Sequence, residues 1–305
     1  MADFARRDFL KRSMAAGSAA ALAPSAFAQD KPSDMCIARW KGGDDFKQMA
    51  VRLTEEAMKN IGGMGRFVKK GDVVWVKPNM AWDRTPEQAA NTNPDLVATV
   101  IRLCLEAGAS KVKVGDRTCN ESKKSYVRSG IEAAAKAAGA EVIYIDDNRF
   151  KEMTLGGKRL DKWPVYPEMA EANLLINCPI VKHHCLSKMT ACMKGYMGVV
   201  GGERGQWHQD IPTCLSDITG FMKPRLCIVD AIRILTANGP TGGNLADVKV
   251  VKTVAAGTDI VALDAFAAEI LGHKPADIET VLAGEKAGLG KIDYRSLALK
   301  EVEIA

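Results

Sequence analysis

The sequence predicts an α/β protein: a mostly parallel, doubly wound sheet with helices on both faces and a small hairpin insertion near residues 151 to 166. Three observations carry that expectation. Short apolar runs, Val73-Val74-Trp75-Val76 and Leu174-Leu175-Ile176, read as strands buried on both faces. Amphipathic stretches alternate with such runs at spacings of about 10 to 15 residues, the rhythm of βαβ units. The runs stop at polar or titratable residues, and an open parallel sheet presents its chemistry where its strands end.

At the N-terminus, Ala5-Arg6-Arg7-Asp8-Phe9-Leu10-Lys11 precedes a mild apolar run from Met14 to Leu22, and Ala26-Phe27-Ala28 offers small residues to a signal peptidase. This resembles a twin-arginine export signal, with Ala5 where Ser or Thr is usual. Residues 1–28 are expected to be a signal peptide and residues 29–305 a single α/β domain or two closely packed lobes. Pro24 and the Ala-x-Ala site argue against a basic amphipathic helix. The apolar run is too short for a stable membrane span. The expected location is periplasmic or otherwise exported, with the twin-arginine machinery as a partner. Such substrates cross folded, often around an inserted cofactor, which favours a bound metal ion or iron–sulfur cluster.

In chain order, Cys36 to Trp40 reads as a strand and Phe46 to Asn60 as an amphipathic helix ended by Gly62-Gly63. Residues 80 to 93 lack periodicity and form a loop over the site. Asn93 caps a helix starting at Pro94 and running to Glu106. Lys111 to Asp116 is a strand, Ser125 to Ala138 a helix, and Glu141 to Asp146 a strand. Met153 to Val165, centred on Gly156-Gly157, is the hairpin. After the strand at 173–177 come a helix over Ile211 to Met222 and a strand over Leu226 to Val229 ending in Asp230. Asn238 to Asn244 is a loop, Val248 to Ala255 a strand, and Ile260 to Leu271 and Ile278 to Ala287 are helices.

The composition, 47% hydrophobic and 26% charged, is that of an ordinary globular protein. The formal net charge is +5, and residues 1–28 hold four basic against two acidic residues. No basic stripe interleaved with aromatics is present, so nucleic acid is not an expected partner. The 8 cysteines are scattered through apolar segments, unlike a disulfide framework.

The chemistry is densest after the run at 174–176. Three of the 4 histidines and three of the 8 cysteines fall between Asn173 and His208. Four candidate strands end in Asn79, Asp116, Asn177 and Asp230, either as site residues along one sheet edge or as ordinary turn residues. Lys182-His183-His184-Cys185 follows the central strand. Neighbours point in different directions, so at most one histidine faces the site; His184 is the candidate metal ligand or acid/base. Lys182, Lys194 and Arg204 are candidate holders of an anionic ligand. Cys185 and Cys192, seven apart, would share a helix face and join His184 and His208 as metal ligands, although no Cys-x-x-Cys pair is present. Met189, Met193 and Met197 repeat every four positions, more simply a buried helix face than a copper stripe. Gly198 to Gly205 either cradles an anion or connects flexibly to Arg204 and His208. His208 is expected to work across the site from His184.

These residues resemble the family called domain of unknown function 362, in its exported branch. The resemblance rests on Val76-Lys77-Pro78-Asn79, the Asn93-Pro94 helix, Gly108 through Asp116, and Pro179-x-x-Lys182-x-His184 followed by Lys194 and Gly198. It continues in His208, Val229-Asp230-Ala231, Asn238-Gly239-Pro240 and Asp259 to Ala265. Family members often carry asparagine where Gly195 stands. Some carry an added ferredoxin-like domain with cluster motifs, which this chain lacks. Two functions follow as expectations. One is an exported redox- or metal-dependent protein acting on a small anionic molecule, with Lys182, His184 and His208 catalytic and Asn79, Asp116, Lys194, Arg204 and Asp230 binding. The other is a non-catalytic exported protein binding a metal, iron–sulfur cluster or small ligand.

Overall fold

A computed structural model describes residues 32–305, so the export signal expected over residues 1–28 lies outside the described residues. Strand β1 (Met35–Trp40) is followed by α1 (Phe46–Asn60), whose N-terminus is capped by the Asp45 carboxylate. Next come β2 (Val73–Pro78) and α2 (Pro94–Glu106). Asn93 Oδ1 accepts from the N–H groups of Asp95 and Leu96, and Pro94 fills a position needing no N–H donor, as the sequence predicts. Strand β3 (Lys111–Val114) leads to α3 (Ser122–Arg128) and α4 (Ile131–Ala137). The single helix expected over Ser125 to Ala138 is thus broken, because Gly130 takes φ 74° between its halves. The strand expected over Glu141 to Asp146 is only β4 (Glu141–Val142).

Strands β5 (Lys151–Thr154) and β6 (Lys162–Val165) pair antiparallel as the predicted hairpin insertion. A short α5 (Pro167–Ala170) precedes β7 (Leu174–Cys178). The Lys-His-His segment is itself a strand, β8 (Ile180–His184), folded back on β9 (Lys188–Thr190). After α6 (Cys192–Gly195) and α7 (Ile211–Met222), β10 (Leu226–Leu235) runs past Asp230, which is therefore mid-strand and not a strand end. β11 (Val248–Gly257), α8 (Ile260–Ile270), α9 (Glu279–Lys286) and an unforeseen β12 (Leu299–Ile304) complete the chain.

The main sheet runs β12-β1-β11-β10-β7-β2-β3-β4. From β10 to β4 every pairing is parallel, while β11 lies antiparallel between β1 and β10. Alternation along the strands divides the core. Val74, Val76, Leu174 and Ile176 pack with α1, α2 and α4, whereas Trp75, Leu175, Cys227 and Val229 pack with α7, α8 and α9. A sheet apolar on both faces is what continuous runs such as Val73–Val76 require. No helix among the described residues is long and apolar enough to cross a membrane.

Candidate functional site

A cavity of about 330 Å³ opens beyond the C-terminal ends of β2 and β3, roofed by the β8–β9 hairpin and by residues 194 to 208. Its lining includes Asn79, Asp116, Lys182, His184, Cys185, Lys194, Arg204 and His208, so most of the residues singled out in the sequence meet in one place. Asp230 and Cys192 are outside it. Asp230 accepts from the backbone N–H groups of Asn93 and Ile232, tying the start of α2 to the sheet, and burial raises its pKa to about 6. Asn177 donates to the Cys192 carbonyl in the core and does not line the cavity.

Each site residue is placed by a local cause. In β8, residues two apart share a face, so Lys182 and His184 turn to the cavity. His183 is not among the lining residues. Its Nδ1 accepts from Gly239 N–H at 3.1 Å, fixing the 238–244 loop. The Lys182 ammonium donates to Ala90 O at 2.6 Å and Pro240 O at 3.1 Å, and it lies 5.5 Å from the Trp82 ring centre. Burial is the main cause lowering its pKa to about 7. Lys194 stands on α6, whose first N–H groups, of Cys192 and Met193, are held by the buried Asp264 carboxylate. Among the described residues its ammonium meets only Met197 Sδ, at 3.1 Å, and burial lowers its pKa to about 8. Arg204 spends its guanidinium on neutral acceptors, the carbonyls of Met197, Arg117 and Thr118. Among the described residues, none of these three cations has a carboxylate partner.

The two histidines meet opposite kinds of backbone group. His184 Nδ1 accepts from the N–H groups of Leu186 and Ser187 at 3.1 and 3.3 Å, so in the neutral ring the proton resides on Nε2. Burial first, then the Lys194 and Lys182 charges, lower its pKa to about 3, so the ring stays neutral. His208 Nδ1 approaches Gly205 O at 2.8 Å, and a carbonyl can only accept. In the neutral ring this contact places the proton on Nδ1 and leaves Nε2 with its lone pair. The rings lie 6.3 Å apart between centres, 20° from parallel.

The proposed metal set does not assemble. Cys185 is exposed at the hairpin turn, and Cys192 is buried where α6 begins, beside Cys227 and Asp264, because the two do not share a helix. His184 Nδ1 is occupied and its Nε2 bears a proton. Among the described residues no group of three or more His, Cys, Asp or Glu side chains can hold a metal ion. The methionine stripe likewise dissolves: Met189 lies in β9 and Met193 in α6, both in the core, while Met197 lines the cavity.

Sequence reading missed Lys77, Trp82, Arg117, Cys119 and Met197 as lining residues. Lys77 ends a strand in the motif Lys-Pro-Asn and Arg117 to Cys119 directly follow Asp116, so proximity to strand ends was a usable signal. Nothing local marks Trp82, which the 80–93 loop carries in. Gly198 has a steric cause, since a Cβ there would come within 1.7 Å of Asp116 Oδ1.

Comparison with known proteins adds family and fold. The chain is 31% identical over 243 residues to a thylakoid-associated protein of Synechocystis sp., covering 76% of this chain and 73% of that protein. Among solved structures, the lactate racemase apoprotein from Thermoanaerobacterium thermosaccharolyticum superposes with TM-score 0.50 at 10% identity, over 79% of this chain and 57% of that one. The chain therefore spans less than two thirds of that structure, and the likeness concerns the α/β fold. A protein from Thermotoga maritima aligns over 79% of this chain and 59% of its own, with TM-score 0.39 and 11% identity. The model of the family described as domain of unknown function (DUF362) matches residues 74–269, and by that match and the Synechocystis relative this chain belongs to it.

Proposed function

We propose that this protein binds a small anionic molecule in the strand-end cavity and moves a proton on it, after export through the twin-arginine route to the periplasm. The observation that carries this reading is the convergence of Lys182, Lys194 and Arg204 on one cavity whose lining carboxylate, Asp116, is already paired with Lys77. Withdrawn cations are costly unless an opposite charge joins them, and charge-assisted hydrogen bonds to a carboxylate or phosphate supply it. His208 Nε2 is the proton acceptor of the site. His184 Nε2–H is a fixed donor to an oxygen of the ligand, because a ring that stays neutral donates a hydrogen bond without adding charge. Among the described residues the donor set fits neither a metal ion nor an iron–sulfur cluster.

The test is calorimetric titration of the purified protein with phosphate, pyrophosphate and small mono- and dicarboxylates, beside Lys194→Gln. At least one anion should bind, and Lys194→Gln should weaken it about tenfold or more, the scale of one charge-assisted hydrogen bond. Equal affinity in both proteins, or no binding across the panel, overturns the reading. Binding without deuterium incorporation from solvent at any C–H of the bound anions would leave a binding protein without turnover.

A further inference from the structure

Six of the eight cysteines are buried, while Cys119 and Cys185 are exposed, and both line the cavity. Cys119 also lines a second cavity of about 370 Å³, so it stands on the rim the two share. The Arg204 guanidinium donates to Cys119 Sγ at 3.5 Å while gripping the carbonyls of Arg117 and Thr118, the two preceding residues. Cys119 N–H donates to Ala81 O at 3.0 Å. The thiol is therefore held on a pinned loop beside a permanent cation, the setting in which a cysteine becomes a nucleophile. An independent observation points to a ligand there: among the described residues, the withdrawn Lys194 ammonium on the same cavity meets no oxygen acceptor, only Met197 Sδ.

We infer that Cys119 is a covalent-capture residue, a nucleophile that adds to the carbonyl carbon of a small oxo-acid anion held by Arg204 and Lys194. The S–C bond forms as the carbonyl π pair moves onto oxygen, and the proton given up by the thiol ends on that oxygen. The adduct is a thiohemiketal, and no oxidant or reductant is consumed. Among the described residues no cation is hydrogen-bonded to the Cys185 sulfur, unlike that of Cys119. The inference rests on the anion-binding reading of the cavity.

Parallel alkylation of the folded protein with iodoacetate, an anion, and iodoacetamide, its neutral analogue, tests it, with rates read at each cysteine by peptide mass mapping. The reference is the same cysteine in denatured protein. At Cys119 the iodoacetate-to-iodoacetamide rate ratio should exceed its reference about tenfold, as expected where cations concentrate an anion, and should fall with added salt. Arg204→Met should bring the ratio back towards the reference. A ratio at Cys119 no higher than its reference, or a preference confined to Cys185, overturns the inference. Calorimetry on Cys119→Ser separates the two readings. Retained anion affinity with no iodoacetate preference in the unaltered protein removes only the covalent role, whereas absence of both removes the anion site as well.

Discussion

Lys77 Nζ lies 2.7 Å from Asp116 Oδ1, and both side chains are almost fully withdrawn from solvent. Asp116 Oδ2 also accepts from Met80 N–H, so this ion pair joins the end of β2 to the end of β3 and sets the cavity floor. Gly198 passes directly over it, with no room for a methyl group. Removing one partner strands a buried charge. Lys77→Met should therefore destabilise by about 3–5 kcal/mol, and Lys77→Met with Asp116→Leu by clearly less, because a well-packed apolar pair replaces a buried ion pair at little cost. Denaturant melts of the two variants measure this. A double variant as unstable as the single would show that the charges themselves hold the fold.

The histidine pair should behave as one unit. If His208 accepts the proton and His184 donates to the same ligand, each single Ala variant should lower deuterium exchange into a bound anion by about 10²–10⁴, the usual worth of acid–base catalysis. His184→Ala with His208→Ala should be little worse than either alone, because members of one unit are not additive. Unaltered exchange in His208→Ala, with loss only in His184→Ala, would leave His184 as the sole functional histidine.

Anion affinity should fall as pH rises. Burial lowers the pKa of Lys182 to about 7 and that of Lys194 to about 8, so both charges are lost across that interval. An arriving anion favours the charged forms, and binding near pH 8 should take up protons. Calorimetry at pH 6 to 9 in buffers of different ionisation enthalpy reads both effects. Stability without ligand runs the other way. The unfolded lysines, near the ordinary 10.5, hold protons the folded protein releases, so stability should increase from about pH 7 to 10. Affinity independent of pH would mean that neither lysine touches the anion.

Read by itself, the sequence determined most of the elements and singled out many of the residues that line the cavity. α1, α2 and α7 fall on the residues that capping and periodicity pick out, because Asp45, Asn93 and Asp210 satisfy helix N–H groups locally. Period-two alternation is equally local, and it separates His184 from His183 once the segment is extended. Tertiary structure alone decided which polar residues share a cavity. Asp230 and Asp116 look alike as strand residues, yet β10 continues past Asp230 and buries it against α2, while the chain leaves β3 before Asp116. Cys185 and Cys192 have helical spacing but lie on a hairpin turn and a separate helix, since β9 intervenes. Trp82 and Cys119 reach the site through loop packing and the Arg204 clamp, contacts between residues far apart in the chain. The tautomers of His184 and His208 follow from backbone groups that only the folded hairpin and the turn at Gly205 bring within reach.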